Sequence, residues 1–296
     1  MSFVNYKNGN YVVYFNTDTG DKIRNTHEDS FIPAFAENCD ITITNRCDGG
    51  CPMCYAGCTK NGKHGDLNAA CLETIPPYTE IAINGNDLSH PDLIPFLERM
   101  AQKNVIVNMT VNQMHFERHF EFIQELQEQN LIHGVGVSLV SATNSFIRLL
   151  MTCKNTIIHV INGVFDKSDA IKLMGHNFDI LILGYKTTCR GLDYLLSHDD
   201  EIVEKQTWLS NNIINLFGGF RTVEFDNLAL EQLSIQDKIP EDVWNKHYMG
   251  EEGGFTFFIN LVDRYFAKNS TDDAHYPLMN SVQEMFNFLQ EVNEYV

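Results

Sequence analysis

Basic residues are scarce in this chain. The 21 Lys and Arg stand against 39 Asp and Glu, a formal net charge of −18. A surface of that sign repels phosphate backbones, so a large nucleic acid is not expected as a partner. Long hydrophobic runs are missing too. The longest are short pieces such as residues 180–183, against about 20 residues for a membrane-spanning helix. The opening MSFVNYKNGN lacks the basic stretch and apolar core of a secretory signal. These absences predict a soluble, cytoplasmic protein with no membrane partner. Five of the eight cysteines (Cys39, Cys58, Cys71, Cys153 and Cys189) are scattered without a disulfide-like rhythm, as reduced thiols are. There is no internal repeat, low-complexity tract or long linker. At 296 residues the chain can form one large domain, burying roughly three quarters of its extended surface.

The other three cysteines cluster. Cys47, Cys51 and Cys54 lie in NRCDGGCPMCY, a C-x3-C-x2-C spacing that follows the strand-like run at residues 40–44. Three thiolates on so short a loop can converge on one small inorganic centre, yet they leave a four-site centre one ligand short. A zinc knuckle completed by His64 or Cys58 is one alternative, and reduced core thiols are another. No second C-x2-C or H-x3-H lies at finger distance, which counts against a zinc module.

Residues 1–38 read as a β-hairpin appendage: a strand at 11–15, a turn at 17–20 and a return at 22–24, with no chemistry assigned. From Asp40 strands and helices alternate. Strands are expected at 41–44, 80–83, 105–111, 135–140, 156–161 and 179–183. Helices are expected from Pro91, over 116–129, near 146–151 and 170–174, and over 199–216. Six βα units predict an α/β fold, a parallel sheet curled into a partial (β/α)6 barrel. A seventh strand at 222–225 ends at Asp226. The domain reading is a hairpin over 1–38, a barrel over 39–227 and a C-terminal α/β extension over 228–296, packed on the barrel.

The cysteine loop resembles that of the radical S-adenosylmethionine (SAM) enzymes, and the six-unit core has their architecture. The resemblance covers roughly residues 40–190, and the whole chain is similar to compact stand-alone members encoded by bacteriophages. It implies that Cys47, Cys51 and Cys54 hold a [4Fe–4S] cluster whose fourth iron is chelated by SAM. Reductive cleavage of SAM would then give a 5′-deoxyadenosyl radical that takes hydrogen from substrate. Met53 stands where the family usually has an aromatic residue, and Tyr55 follows the third cysteine. Gly85-Asn86-Asp87 resembles the Gly-Gly-Glu segment that binds the methionyl amino group, with Asn and Asp substituted. Ser138 stands where the family often places a small polar residue on SAM.

Strand alternation puts Asn108, Thr110 and Asn112 on one face, a polar row suited to the SAM ribose or carboxylate. Asn162 ends the fifth strand and completes the expected cofactor contacts. His159 reads as a core histidine. Lys186 reads as a surface residue or a partner for a substrate carboxylate. Asp226, Asn227 and Gln232 are candidates for substrate contact. His115 and His119 share a helical face, at a spacing that could pair them on a metal, though without a Glu in the protease position an exposed face is expected. Arg46, Lys60, Lys63 and His64 gather around the cysteine loop, where they would dock an acidic flavodoxin- or ferredoxin-like electron donor. The expected substrate is a small molecule, nucleotide or peptide. A non-catalytic zinc- or SAM-binding module is the alternative.

Overall fold

The fold is described by a computed structural model covering residues 3–84 and 86–294, the side chains of Asp87, Asn293 and Glu294 excepted. It opens with three antiparallel strands, β1 (Phe3–Asn8), β2 (Tyr11–Asn16) and β3 (Lys22–Asn25). The expected hairpin is β2–β3, and β1 adds a strand the sequence reading lacks. Lys22 pairs with Glu80 at 2.7 Å, and Arg24 pairs with the fully buried Glu37 at 2.9 Å. The small sheet is therefore fastened to the main one by charge as well as by the packed Tyr11, Val13 and Phe15.

Seven strands then pair side by side in chain order, each parallel to the last. They are β4 (Asn38–Thr42), β5 (Glu80–Asn84), β6 (Ile106–Asn112), β7 (Gly134–Ser138), β8 (Thr156–Ile161), β9 (Asp179–Leu183) and β10 (Thr222–Phe225). Beyond β4, the strand β11 (Thr256–Asn260) pairs in parallel with it, and β12 (Tyr265–Ala267) and β13 (Tyr276–Pro277) continue antiparallel. The result is a mixed α/β fold around a mostly parallel ten-stranded sheet.

Strand alternation sorts the side chains. Ile81, Ile83, Val107, Met109, Val135, Val137, Ile158, Val160, Ile180 and Ile182 point to the helical side, and each is almost wholly buried. Each such aliphatic contributes roughly 1.5–3 kcal/mol over an exposed position. The helices α1 (Leu93–Gln102), α2 (Gln113–Arg118), α3 (Phe120–Glu128), α4 (Asn144–Leu150), α5 (Lys167–Leu173), α6 (Arg190–Ser197), α7 (Asp199–Phe217), α8 (Asn227–Gln232), α9 (Glu241–His247) and α10 (Val282–Glu294) complete the chain. None among the described residues is long and apolar enough to cross a membrane.

Three departures from the sequence reading have physical causes. The first parallel strand lies at 38–42 rather than 41–44, because Ile43 and Thr44 already lead into the cysteine loop. The helix expected over 116–129 is two helices that break at His119, whose φ and ψ are −117° and 25°. The break lets α2 send His115 and Arg118 to Asp48 while Ile123 and Leu126 of α3 stay buried. Helix α6 was not expected: it is only eight residues long and buries only Gly191, leaving Leu192 and Leu196 exposed.

Candidate functional site

The cysteines occupy the loop after β4, at the C-terminal end of the first parallel strand. Isolated bridges join Thr44 to His64 and Arg46 to Thr59. The Cys47 amide donates to Thr59 O at 2.8 Å, and the Cys54 amide to Cys51 O at 3.3 Å. Gly50, at φ +64°, takes a left-handed turn that a residue with a Cβ adopts only at a cost. All three thiols are half-buried. Two N–H groups already point at sulfur: the Gly49 amide lies 3.3 Å from Cys47 Sγ, and Asn112 Nδ2 lies 3.4 Å from Cys51 Sγ. Burial pushes the Cys47 and Cys51 thiols up. Cys54 is held down instead, because the thiol of Cys58 hydrogen-bonds to it.

A ring of polar groups holds the loop from outside. Asp48 accepts from Arg118 at 2.8 Å and from His115 Nε2 at 2.7 Å. These two keep its carboxyl well below the usual range, Arg118 most of all. His115 is 1 % exposed and its Nδ1 has no hydrogen-bond partner among the described residues, which corrects the expected exposed face. The segment after β9 grips the other side. Arg190 Nε donates to Cys51 O at 3.1 Å and Nη1 to Cys58 O at 3.0 Å, while the Thr188 hydroxyl reaches Tyr55 O at 3.0 Å.

The sheet face opposite the main helices lines a cavity of about 850 Å³, to which all seven consecutive strands contribute. Met53 and Tyr55 of the cysteine loop form part of its wall, so loop and cavity are one site. Asp40, Asn84, Thr110, His159 and Asp226 also line it. Its upper part holds the Lys186 ammonium, 4.4 Å above the Tyr55 ring and 3.0 Å from Ser270 Oγ. Lys186 is therefore no surface residue. Burial alone would lower its pKa, but Tyr55, Asp226, Asp40 and Glu252 more than offset that and raise it. Asp40 is open to the cavity, and desolvation by the surrounding walls raises its carboxyl.

Gly136 of β7 makes room for the His159 ring: a Cβ there would lie 2.3 Å from it. Burial lowers the His159 pKa to about 4, so the ring is neutral near pH 7. The turn at residues 17–21 lines the opposite end of the cavity, so the N-terminal strands are no mere appendage.

Of the other expected contacts, Asn112 ends β6, where its Oδ1 caps α2 by accepting from the Met114 amide. Ser138 lies level with it at the end of β7. Asn162 is 1 % exposed. Its Nδ2 donates to Gln232 Oε1 at 3.0 Å, and its Oδ1 is a buried acceptor without a partner among the described residues. Gln232 is occupied by Asn162 and the Tyr185 backbone, Asn227 by Gly250 O, and Asp226 caps α8. Asn86 is buried, with its carbonyl accepting from Ser89. Gly85 and the Asp87 side chain lie outside the described residues. Arg46, Lys60 and Lys63 are exposed. His64 does not belong with them as a cation, because burial first, then His90 and Arg46, lower its pKa.

Three thiols on one short loop fit an iron–sulfur cluster. A cubane spreads its thiolates over separate irons, and the N–H groups aimed at Cys47 and Cys51 sulfur suit charged thiolates. Asn112, Ser138 and Asn162 are not among the residues that line the cavity.

No protein-family model matches the chain, and no curated protein is similar to it in sequence. Solved structures of Streptococcus suis SuiB share its fold. SuiB bound to S-adenosylmethionine superposes with a TM-score of 0.57 at 10 % identity, covering 93 % of this chain and 84 % of SuiB. SuiB bound to its precursor peptide SuiA gives 0.51 at 11 % identity, covering 83 % of this chain and 63 % of that one. The fold of this chain is thus that of a protein crystallised both with SAM and with a peptide.

Proposed function

We propose that this chain is a radical SAM enzyme whose cluster is held by Cys47, Cys51 and Cys54. The observation that carries the reading is the three-cysteine loop itself. It sits at the C-terminal end of the first of seven consecutive parallel strands and forms one wall of the cavity they line. The likeness to SAM-bound SuiB supports it. The cavity lined by all seven strands supports the partial-barrel description, with residues 39–227 as its core.

A cluster held by these thiolates would pass one electron from an external donor to bound SAM, whose S–C5′ bond would break to give methionine and a hydrogen-abstracting 5′-deoxyadenosyl radical. This chain's residues supply the setting. Asn112 and the Gly49 amide donate to cysteine sulfur. Met53 and Tyr55 present a thioether and a ring to the cavity, surfaces suited to an adenine. Asn112, Ser138 and Asn162, at neighbouring strand ends, are the polar groups assigned to SAM, and the chain segment Gly85-Asn86-Asp87 is assigned to its amino group. The 850 Å³ cavity is of the size that encloses small ligands.

A peptide is the favoured substrate class, because SuiB takes a precursor peptide in the same fold. The exposed Arg46, Lys60 and Lys63, none paired with a carboxylate among the described residues, form the docking patch for an acidic flavodoxin or ferredoxin. The test is anaerobic reconstitution followed by assay for 5′-deoxyadenosine with candidate peptides. Release of 5′-deoxyadenosine supports the reading, and a colourless protein with one zinc per chain contradicts it.

A further inference from the structure

We propose that Arg190 is a positioning residue of the metal centre: it clamps the cysteine loop at two carbonyls and sets one uncompensated positive charge beside the three thiols. The inference rests on the radical SAM reading and adds to it a residue outside the cysteine loop.

Three observations converge. Arg190 begins α6, and its guanidinium bonds Cys51 O and Cys58 O, the two carbonyls that flank Cys54 in the chain. A planar fork with fixed N–H directions suits two such acceptors, whereas an ammonium holds them only as a point charge. No carboxylate among the described residues pairs with Arg190, so its charge is not neutralised locally. Its bonds to the carbonyls of Cys51 and Cys58 hold that charge against the loop that carries all three thiols. The backbone makes the approach possible, because Cys189 just before it has φ +47° and turns the helix start onto the loop. A Cβ on Gly57 would lie 3.2 Å from Cys189 Sγ, so the two segments are in close contact there.

Two consequences follow by different physics. The clamp acts before any cluster is present, by limiting the conformations of residues 51–58. The charge acts after it, because one-electron reduction adds negative charge to the centre and a fixed nearby cation favours the reduced form.

The experiment compares wild type with Arg190→Gln and Arg190→Lys. Amide exchange is followed in the full-length metal-free chain, and redox titration with paramagnetic-resonance detection is run on the reconstituted protein. Exchange outside the loop reports that each variant has folded. Residues 51–59 are expected to exchange about tenfold faster in both variants, because lysine cannot reproduce the fork. Arg190→Gln is expected to lower the reduced-to-oxidised ratio at the wild-type midpoint about tenfold, a shift of about 59 mV to more negative potential for one electron. Arg190→Lys keeps the charge and is expected to stay near the wild-type midpoint. Unchanged loop exchange in both variants overturns the clamp. An unchanged midpoint in iron-loaded Arg190→Gln overturns the charge role. Wild-type protein that takes up no iron contradicts the proposed function instead, and the exchange measurement still decides the clamp.

Discussion

Asn112 carries two tasks that substitution can separate. Its Oδ1 caps α2 through the Met114 amide at 2.9 Å, and its Nδ2 donates to Cys51 Sγ at 3.4 Å. Asn112→Ala removes both. Loss of a cap costs about 1 kcal/mol, so the metal-free chain should unfold with a stability about 1 kcal/mol lower. Asn112→Asp keeps a capping oxygen, and its charge is favourable at a helix N-terminus. Its metal-free stability should therefore stay within about 0.5 kcal/mol of wild type, the usual scatter of a benign change. The aspartate has no donor for sulfur, however, and puts a negative charge beside Cys51. A hydrogen bond to a charged group contributes about 1.5–3 kcal/mol, and its loss falls on the reduced, more negative centre. The midpoint potential should move negative in both variants, and further in the aspartate. Urea unfolding of the metal-free protein and redox titration of the loaded protein measure the two effects. Equal destabilisation by Ala and Asp would refute the capping role, and a wild-type midpoint in Asn112→Asp would refute the bond to sulfur.

Changing Lys60 and Lys63 to Glu should slow flavodoxin-supported turnover and reduce its dependence on salt, while turnover with dithionite stays the same; equal loss with both reductants would assign these lysines to SAM or substrate. His159 gives a pH signature. Its folded pKa of about 4 lies below the ordinary 6.5, so between those values the unfolded chain binds the proton and the folded chain does not. Stability is complete above pH 6.5 and falls as pH drops toward 4, by at most about 1.4 kcal/mol per unit from this group, and His159→Gln should flatten that slope in urea titrations at stepped pH. Gly136→Ala should push the His159 ring aside at a cost of about 1–3 kcal/mol, seen as a lower urea midpoint; no change would mean that the ring moves freely.

Much of the sheet was legible because its strands are short β-branched runs separated by helical stripes, and both patterns come directly from burial. Isoleucines and valines had to face the helices, so β5 to β10 fell close to their expected positions. The cysteine loop was legible because three thiols at that spacing have few other uses. What surrounds it was not. Asp48 binds residues on α2, and Arg190 binds carbonyls roughly 140 positions earlier in the chain. Neither contact leaves a periodicity or a local motif. His115 was misread because its i, i+4 partner suggested a solvent face, whereas a carboxylate next to Cys47 draws it inside. Lys186 was ambiguous for a similar reason, since the Tyr55 ring and Ser270 that receive it come from two distant segments. His64 looked basic by composition, and only its burial beside Thr44 and His90 makes it a poor cation.

The most direct test of the central claim is the iron and sulfide content of anaerobically reconstituted protein. Wild type is compared with the Cys47, Cys51 and Cys54 triple alanine variant, with Cys153→Ala as control. Wild type and Cys153→Ala should each hold about four irons and four sulfides per chain, as one cubane requires, and SAM should perturb the resonance of the reduced centre. The triple variant should hold none. A full iron complement in the triple variant, or stoichiometric zinc without sulfide in the wild type, would contradict the account.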